Sequence, residues 1–307
     1  MARIVSRLAT WVTAVTFLCV AGSLPATAST TAPSPAAPPD IVTAPTLVAS
    51  TSAGAIGYRE VGTGSPVLLI MGFGGSMDDW APSFVDALAA HHTVVVFDNA
   101  GVGQTAPLPG QLTISAMAGQ ASALISALRL GRTAVLGWSM GGMIAQALAV
   151  LHPRQVSQLI LAATQAGTGA SLPIPPAAQA AAASSDPATV LSVLFPADQA
   201  AAEEAYLVGI VQYPGFYGAG DAIKAQQEAA IAQWMAGQDP AGRRLRQIRA
   251  RTLVADGTQD ALDPTANDVL LARGIRHAHL LLYPDAGHAF LFQDATGFIP
   301  PVQRFLR

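Results

Sequence analysis

An alternation limits what this chain can become. Short, nearly continuous runs of apolar, often β-branched residues recur along it, with helical patterns between them. Six runs are expected as strands: 66–70, 93–97, 133–137, 156–162, 252–255 and 279–283. Runs without polar alternation suit strands covered on both faces. Helical patterns fall at 78–90, 114–130, 140–151 and 264–273. Strand–helix–strand repetition predicts an α/β fold, with a mostly parallel central sheet and helices on both faces. An antiparallel hairpin at about 47–61 is expected to precede it.

The alternation stops between residues 164 and 248. That stretch reads as Ala-rich helical pieces punctuated by Pro and Gly, with Phe195, Tyr206, Tyr213, Phe216, Tyr217 and Trp234 scattered through it. It is too long for a plain loop between two sheet strands. We expect a helical cap set into a single domain spanning 47–307.

Ahead of the domain the chain changes character. Arg3 and Arg7 precede or flank the start of an apolar run at 8–20, and Ala26-Thr27-Ala28 has the form of a cleavage site. Residues 1–28 are expected to be a signal peptide and 29–46 an Ala/Pro/Ser/Thr-rich spacer. The apolar run is shorter than the ~20 residues a spanning helix needs. The expected product is secreted or held at the cell envelope, with no stable membrane span. Cys19, the one cysteine, would leave with the signal, which excludes thiol catalysis and disulfides in the remainder. Cleavage would take the formal charge from −3 to −5. Nucleic-acid binders carry a basic footprint, and this composition has none.

Chemistry enters at Gly137-Trp138-Ser139-Met140-Gly141, a G-x-S-x-G sequence between a predicted strand and a predicted helix. In that context the serine sits on a tight turn whose flanking positions must be small. The turn lifts the hydroxyl off the sheet to a helix N-terminus, where the field favours a developing anion. Ser139 is the candidate nucleophile. Trp138 either walls the substrate pocket or packs beneath the turn.

A serine hydroxyl needs a base. Of six histidines, His91, His92 and His152 stand at predicted helix ends, and His277 and His279 flank a predicted strand. His288 lies in a loop just past the last strand, where an imidazole can reach back over the sheet edge. It is the candidate base. An orienting carboxylate must follow. Asp256 suits a turn cap, and Asp263, before Pro264, suits a helix N-cap. Asp260 has no evident local task and is the candidate acid, with the other two as alternatives. The order serine, acid, histidine is that of one known triad arrangement. Two backbone donors should meet the oxyanion. One is the N–H of Met140, next after the nucleophile. The other is expected in Met71-Gly72-Phe73-Gly74-Gly75, from Phe73 or alternatively Gly74.

On these residues the chain resembles the α/β-hydrolase fold family, in its capped, single-domain branch. The resemblance covers about 57–307. It rests on Met71-Gly72-Phe73-Gly74, Phe97-Asp98-Asn99-Ala100-Gly101-Val102-Gly103, the G-x-S-x-G sequence, Gly257-Thr258-Gln259-Asp260 and Gly287-His288. Many members carry His where Met71 stands and Arg where Ala100 stands. The resemblance implies no metal and no organic cofactor. Relatives with an Asp nucleophile are disfavoured, because Ser139 holds that position.

The function expected is a serine hydrolase, carboxylesterase- or lipase-like, that cleaves an ester-like bond through an acyl-enzyme. The apolar and aromatic inventory of the cap predicts a small-to-medium apolar ester as substrate. A cofactor-free haloperoxidase or perhydrolase, or a carbon–carbon bond hydrolase, would use the same three side chains. An aminopeptidase would need acidic cap residues, for which Glu203 and Glu204 are candidates. A non-catalytic binding protein on this fold is the alternative of another class. Arg243, Arg244, Arg246, Arg249 and Arg251 read as a solvated basic stretch leading into a strand.

Overall fold

The computed structural model describes residues 40–307; the expected signal peptide and most of the expected spacer lie outside the described residues. Eight strands form one sheet: β1 (Leu47–Thr51), β2 (Gly54–Val61), β3 (Ser65–Ile70), β4 (His92–Phe97), β5 (Thr133–Trp138), β6 (Val156–Ala162), β7 (Arg251–Gly257) and β8 (His279–Tyr283). Their order is β1-β2-β4-β3-β5-β6-β7-β8. The β1–β2 and β2–β4 pairs are antiparallel, and every other pair is parallel.

Helices cover both faces because strand side chains alternate in direction and both sets are apolar. Leu68, Ile70, Val95 and Phe97 pack with α2 (Ile114–Ala127) and α3 (Met140–Leu151). Val67, Leu69, Val94 and Val96 pack with α1 (Pro82–Ala89) on the opposite face. The chain leaves β3 toward β4 on one side and later enters β5 on the other. Such a reversal opens a crevice at the carboxyl ends of the strands, the usual ligand position in open α/β sheets.

Between β6 and β7 lie α4 (Pro176–Ala182), α5 (Pro187–Leu194), α6 (Ala200–Ile210) and α7 (Asp221–Met235), with no strand among these residues. Three helices follow β7: α8 (Ala266–Gly274), α9 (Phe290–Gln293) and α10 (Ala295–Leu306).

Three local expectations need correction. The helix expected at 78–90 is a 3-10 turn, Met77–Asp79, followed by α1, because Ser76 and Asp79 close a capping box and Pro82 starts a new helix. His92 does not end a helix; it opens β4, with Nδ1 2.9 Å from Ser65 Oγ. The packed domain reaches back past Leu47. Ile41 is fully buried in the layer that holds Phe84 and Leu88, and its N–H donates to Asp86 Oδ1 at 3.0 Å. One helix had no counterpart among the expected elements: α10 runs through Pro300 and Pro301, which no propensity argument favours. Burial of Phe298, Val302 and Leu306 accompanies that helix.

Candidate active site

Ser139 joins β5 to α3 with φ 57 and ψ −123, a conformation that non-glycine residues rarely adopt. Close approach explains its neighbours. A Cβ on Gly137 would lie 2.2 Å from the Gly141 carbonyl oxygen, and one on Gly141 would lie 2.0 Å from that of Ile70. The turn is held by the Ser139 N–H donating to Ala162 O at 2.9 Å and by Thr164 Oγ1 donating to Ser139 O at 2.7 Å. Ser139 remains half-buried and lines a cavity together with His288.

His288 and Asp260 sit on the loops after β8 and β7. His288 Nδ1 is 2.6 Å from Asp260 Oδ2. Both side chains are removed from bulk solvent. An ionised carboxylate only accepts, so Nδ1 carries the proton and Nε2 is left for a second partner. The other carboxylate oxygen accepts from the N–H groups of Leu262 at 2.6 Å and Asp263 at 2.8 Å, which fix its direction. Among the described hydrogen bonds none joins the Ser139 and His288 side chains. They meet across the shared cavity. Trp138 is buried beside the cavity. Its Nε1–H donates to His288 O at 2.9 Å, its ring packs against Phe292, and it also lines part of the cavity.

The alternative acids have other partners. Asp256 Oδ1 accepts from Gly257 N–H at 2.7 Å, as a turn cap would. Asp263 is not the N-cap of α8, which is Thr265, because the helix starts two residues beyond Pro264. Its Oδ1 instead accepts from Asn267 Nδ2 at 2.8 Å. The arrangement also holds a group that sequence reasoning missed. Asp256, Asp263 and Asp268 are buried and place carboxylate oxygens within 4.8 Å of one another. Their carboxylates are of the donor type that could hold a cation. Burial, with Asp260 alongside, pushes Asp263 up to about 7. Burial, with Asp263 alongside, pushes Asp268 up to about 8, and burial also raises Asp256. The three positions are spread over the end of β7, a turn and α8, so no local spacing announced them.

The two candidate oxyanion donors for the β3 loop now differ. The Gly74 N–H donates to Gln227 Oε1 of α7 at 2.8 Å, so it is already committed. Phe73 lines the cavity beside Ser139, and Met140 opens α3, where a first-turn N–H has no intrahelical acceptor. Asn99 Nδ2 donates to Met71 O at 2.8 Å and supports the loop at the position where Met71 departs from the family pattern.

The cavity has two lobes that share Phe73, Ser139, Ala182, Leu262 and His288. One, of about 190 Å³, is walled by Met143, Ile174, Ile231 and Met235 and also bears Gln165, Gln179 and Glu228. The other, of about 150 Å³, is walled by Trp138, Tyr206, Asp79 and Lys224. The aromatic residues between β6 and β7 therefore contribute less to the lining than their number suggested. They mainly tie the segment down: Tyr206 to Asp79 O at 3.0 Å, Tyr213 to Trp80 O at 2.9 Å, Tyr217 to Asp98 Oδ2 at 2.7 Å and Trp234 to Gln165 O at 3.1 Å. Glu203 and Glu204 line neither lobe.

Known proteins share this architecture. A family model described as alpha/beta hydrolase fold matches residues 65–295. The dihydrolipoyllysine-residue acetyltransferase component of the acetoin cleaving system of Cupriavidus necator is 30% identical over 241 residues, which is 78% of this chain and 63% of that protein. A Mycobacterium tuberculosis protein named as a non-heme bromoperoxidase is 41% identical over 111 residues, 36% of this chain and 42% of that one. The matches thus span less than two thirds of the length of either relative. An alpha/beta hydrolase fold protein from Chitinophaga pinensis superposes with a TM-score of 0.74 at 25% identity, over 87% of this chain and 99% of that chain. With the eight-stranded, mostly parallel sheet and the strand-end turn at Ser139, these matches establish that the chain belongs to the α/β-hydrolase fold family.

Proposed function

We propose that this protein is a serine hydrolase that cleaves an ester-like bond of a small, mainly apolar substrate by acyl transfer. The observation that carries the reading is one juxtaposition: a serine on a strained strand-to-helix turn shares a cavity with a histidine whose far nitrogen is held by a buried carboxylate. Ser139 Oγ adds to the carbonyl while His288 Nε2 takes its proton. Asp260 keeps the proton on Nδ1 and stabilises the imidazolium. The N–H groups of Phe73 and Met140 receive the oxyanion, each worth about 3 kcal/mol in the transition state. Collapse expels the alcohol, which leaves with the proton from His288. Water, deprotonated by the same nitrogen, then releases the acid and frees Ser139.

The mature protein acts outside the cytoplasm, a part of the reading supported by the sequence of residues 1–28. Its partner is a small molecule rather than nucleic acid, and the chemistry asks for no cofactor. A fluorophosphonate probe tests the central claim. Labelling of the wild type and none of Ser139→Ala is the expected result; a folded wild type that resists the probe refutes it and favours a non-catalytic binding role. Sequencing the N-terminus of exported protein checks the export reading, with a start at Ser29 expected. A second reading, peroxide-dependent halogenation on the same side chains, is favoured by the relative named as a bromoperoxidase. It requires bromination of a test phenol that depends on both peroxide and Ser139.

A further inference from the structure

The two lobes beside Ser139 carry charge of opposite sign. Lys224 lines the smaller lobe and Glu228 the larger, and both project from α7, one turn apart. Spacing of four residues places them on neighbouring parts of one helix face, where such pairs commonly meet. Here no ion pair joins them, and among the described residues none joins Lys224 to any other carboxylate. The lysine is half-buried.

Its position is well determined. A Cβ built on Gly74 would meet Lys224 Cε at 3.4 Å and its Cγ and Cδ at 3.9 Å, so the stem crosses the loop that follows β3. The segment carrying α7 is clipped to that same glycine twice: the Gly74 N–H donates to Gln227 Oε1 at 2.8 Å, and the Ala219 N–H donates to Gly74 O at 2.9 Å. The cation is thus delivered next to the candidate oxyanion donor Phe73 by an element tied to the Phe73 loop. Asp79 shares the smaller lobe, but burial pushes it up to about 7, and its Oδ2 already accepts from Ser76 N–H at 2.8 Å. Below neutral pH it therefore leaves most of the positive charge of Lys224 uncompensated.

An ammonium that lines the lobe with no carboxylate paired to it among the described residues is an open place for an anion, since a charge-assisted hydrogen bond is among the stronger polar contacts available. We propose that the smaller lobe binds a carboxylate of the substrate through Lys224 while the larger lobe takes an apolar arm. The substrate class is an ester that bears an anionic group on one side of the scissile carbonyl. Glu228 adds direction, because it repels an anion from the larger lobe and leaves one productive orientation. This deepens the serine-hydrolase reading and rests on it.

Matched pairs of esters test the proposal. One arm pairs hemiesters of dicarboxylic acids with their neutral diesters, which places the charge on the acyl side. The other pairs esters of hydroxycarboxylic acids with their amide analogues, which places it on the alcohol side. In the wild type, kcat/KM is expected to favour the charged member in one arm, and that arm identifies the side. In Lys224→Met the charged-to-neutral ratio should fall about tenfold or more, mainly through KM, as expected for losing a charged hydrogen-bond partner. Lys224→Arg should keep most of the preference. Both members of a pair are measured on one preparation, so any misfolded fraction cancels from the ratio. An equal ratio in wild type and Lys224→Met, or a preference for neutral members in both arms, overturns the carboxylate site while leaving Ser139-dependent ester turnover standing. Absence of Ser139-dependent turnover of every ester overturns both.

Discussion

The two walls of the cavity are built in different ways. One is made by the carboxyl ends of β3, β5, β7 and β8, and there the backbone sets the positions. Gly137 and Gly141 leave no room for a side chain, Ser139 is held in a strained conformation, and Asp260 is aimed by two N–H groups. The other wall, α4 to α7, is attached chiefly through side chains: Gln227 to the Gly74 loop, and Tyr206, Tyr213, Tyr217 and Trp234 to the body of the domain. Substitutions on the first wall disturb the reacting groups. Those on the second can alter the lining while the strand ends stay in place. On the serine-hydrolase reading proposed above, how a bond is attacked and which substrate is admitted are therefore physically separable.

Substitutions on the strand-end wall should have the largest effects. Ser139→Ala should lower kcat on the order of 10⁶-fold, measured with an activated ester, as removal of a triad nucleophile does elsewhere. Asp260→Asn should cost about 10⁴-fold in kcat through the wrong imidazole tautomer. Asp263→Asn should cost far less, because Asp263 makes no hydrogen bond to His288. Equal losses at 260 and 263 would break the assignment of the acid.

Effects on the attached wall should be smaller and appear first in stability. Gln227→Leu leaves the Gly74 N–H without its acceptor and should destabilise the fold by about 1–3 kcal/mol in chemical denaturation. An unchanged midpoint would show that the clip does not hold this wall. The smallest effect is a slope. Asp263 and Asp268 bind their protons more tightly in the folded state, at about 7 and about 8, than an unfolded aspartate does. The folded state therefore holds more protons from about pH 4 to about pH 8, and stability should fall as pH rises through that window. Asp268→Asn should flatten the decline in a series of melts; a slope equal to wild type would show that Asp268 is already ionised near pH 4.

What was legible in the sequence was mostly local. β4 and β5 were readable because strands covered on both faces need nearly unbroken apolar runs. The turn at Ser139 was readable because its close contacts admit only glycine nearby. His288 and Asp260 were readable because each follows a strand end, where a parallel sheet gathers its loops. Groups defined by distant partners stayed hidden. Gln227 is an unremarkable helix residue until Gly74 stands beside it, and Lys224 has no sequence neighbour that marks it. Ile41 looked like part of a spacer because its core partners lie more than forty residues on.

By itself, then, the sequence determined the sheet, the strained turn and the order along the chain of Ser139, Asp260 and His288. Those depend on periodicity, on glycine at fixed offsets and on residues adjoining strand ends. Tertiary structure alone decided that the Gly74 N–H is committed to Gln227, which residues between β6 and β7 line the lobes, and that three aspartates share one buried place. The first two outcomes depend on contacts across long stretches of chain and the third on how α8 packs against β7, and desolvation and hydrogen-bond competition act only once those contacts exist.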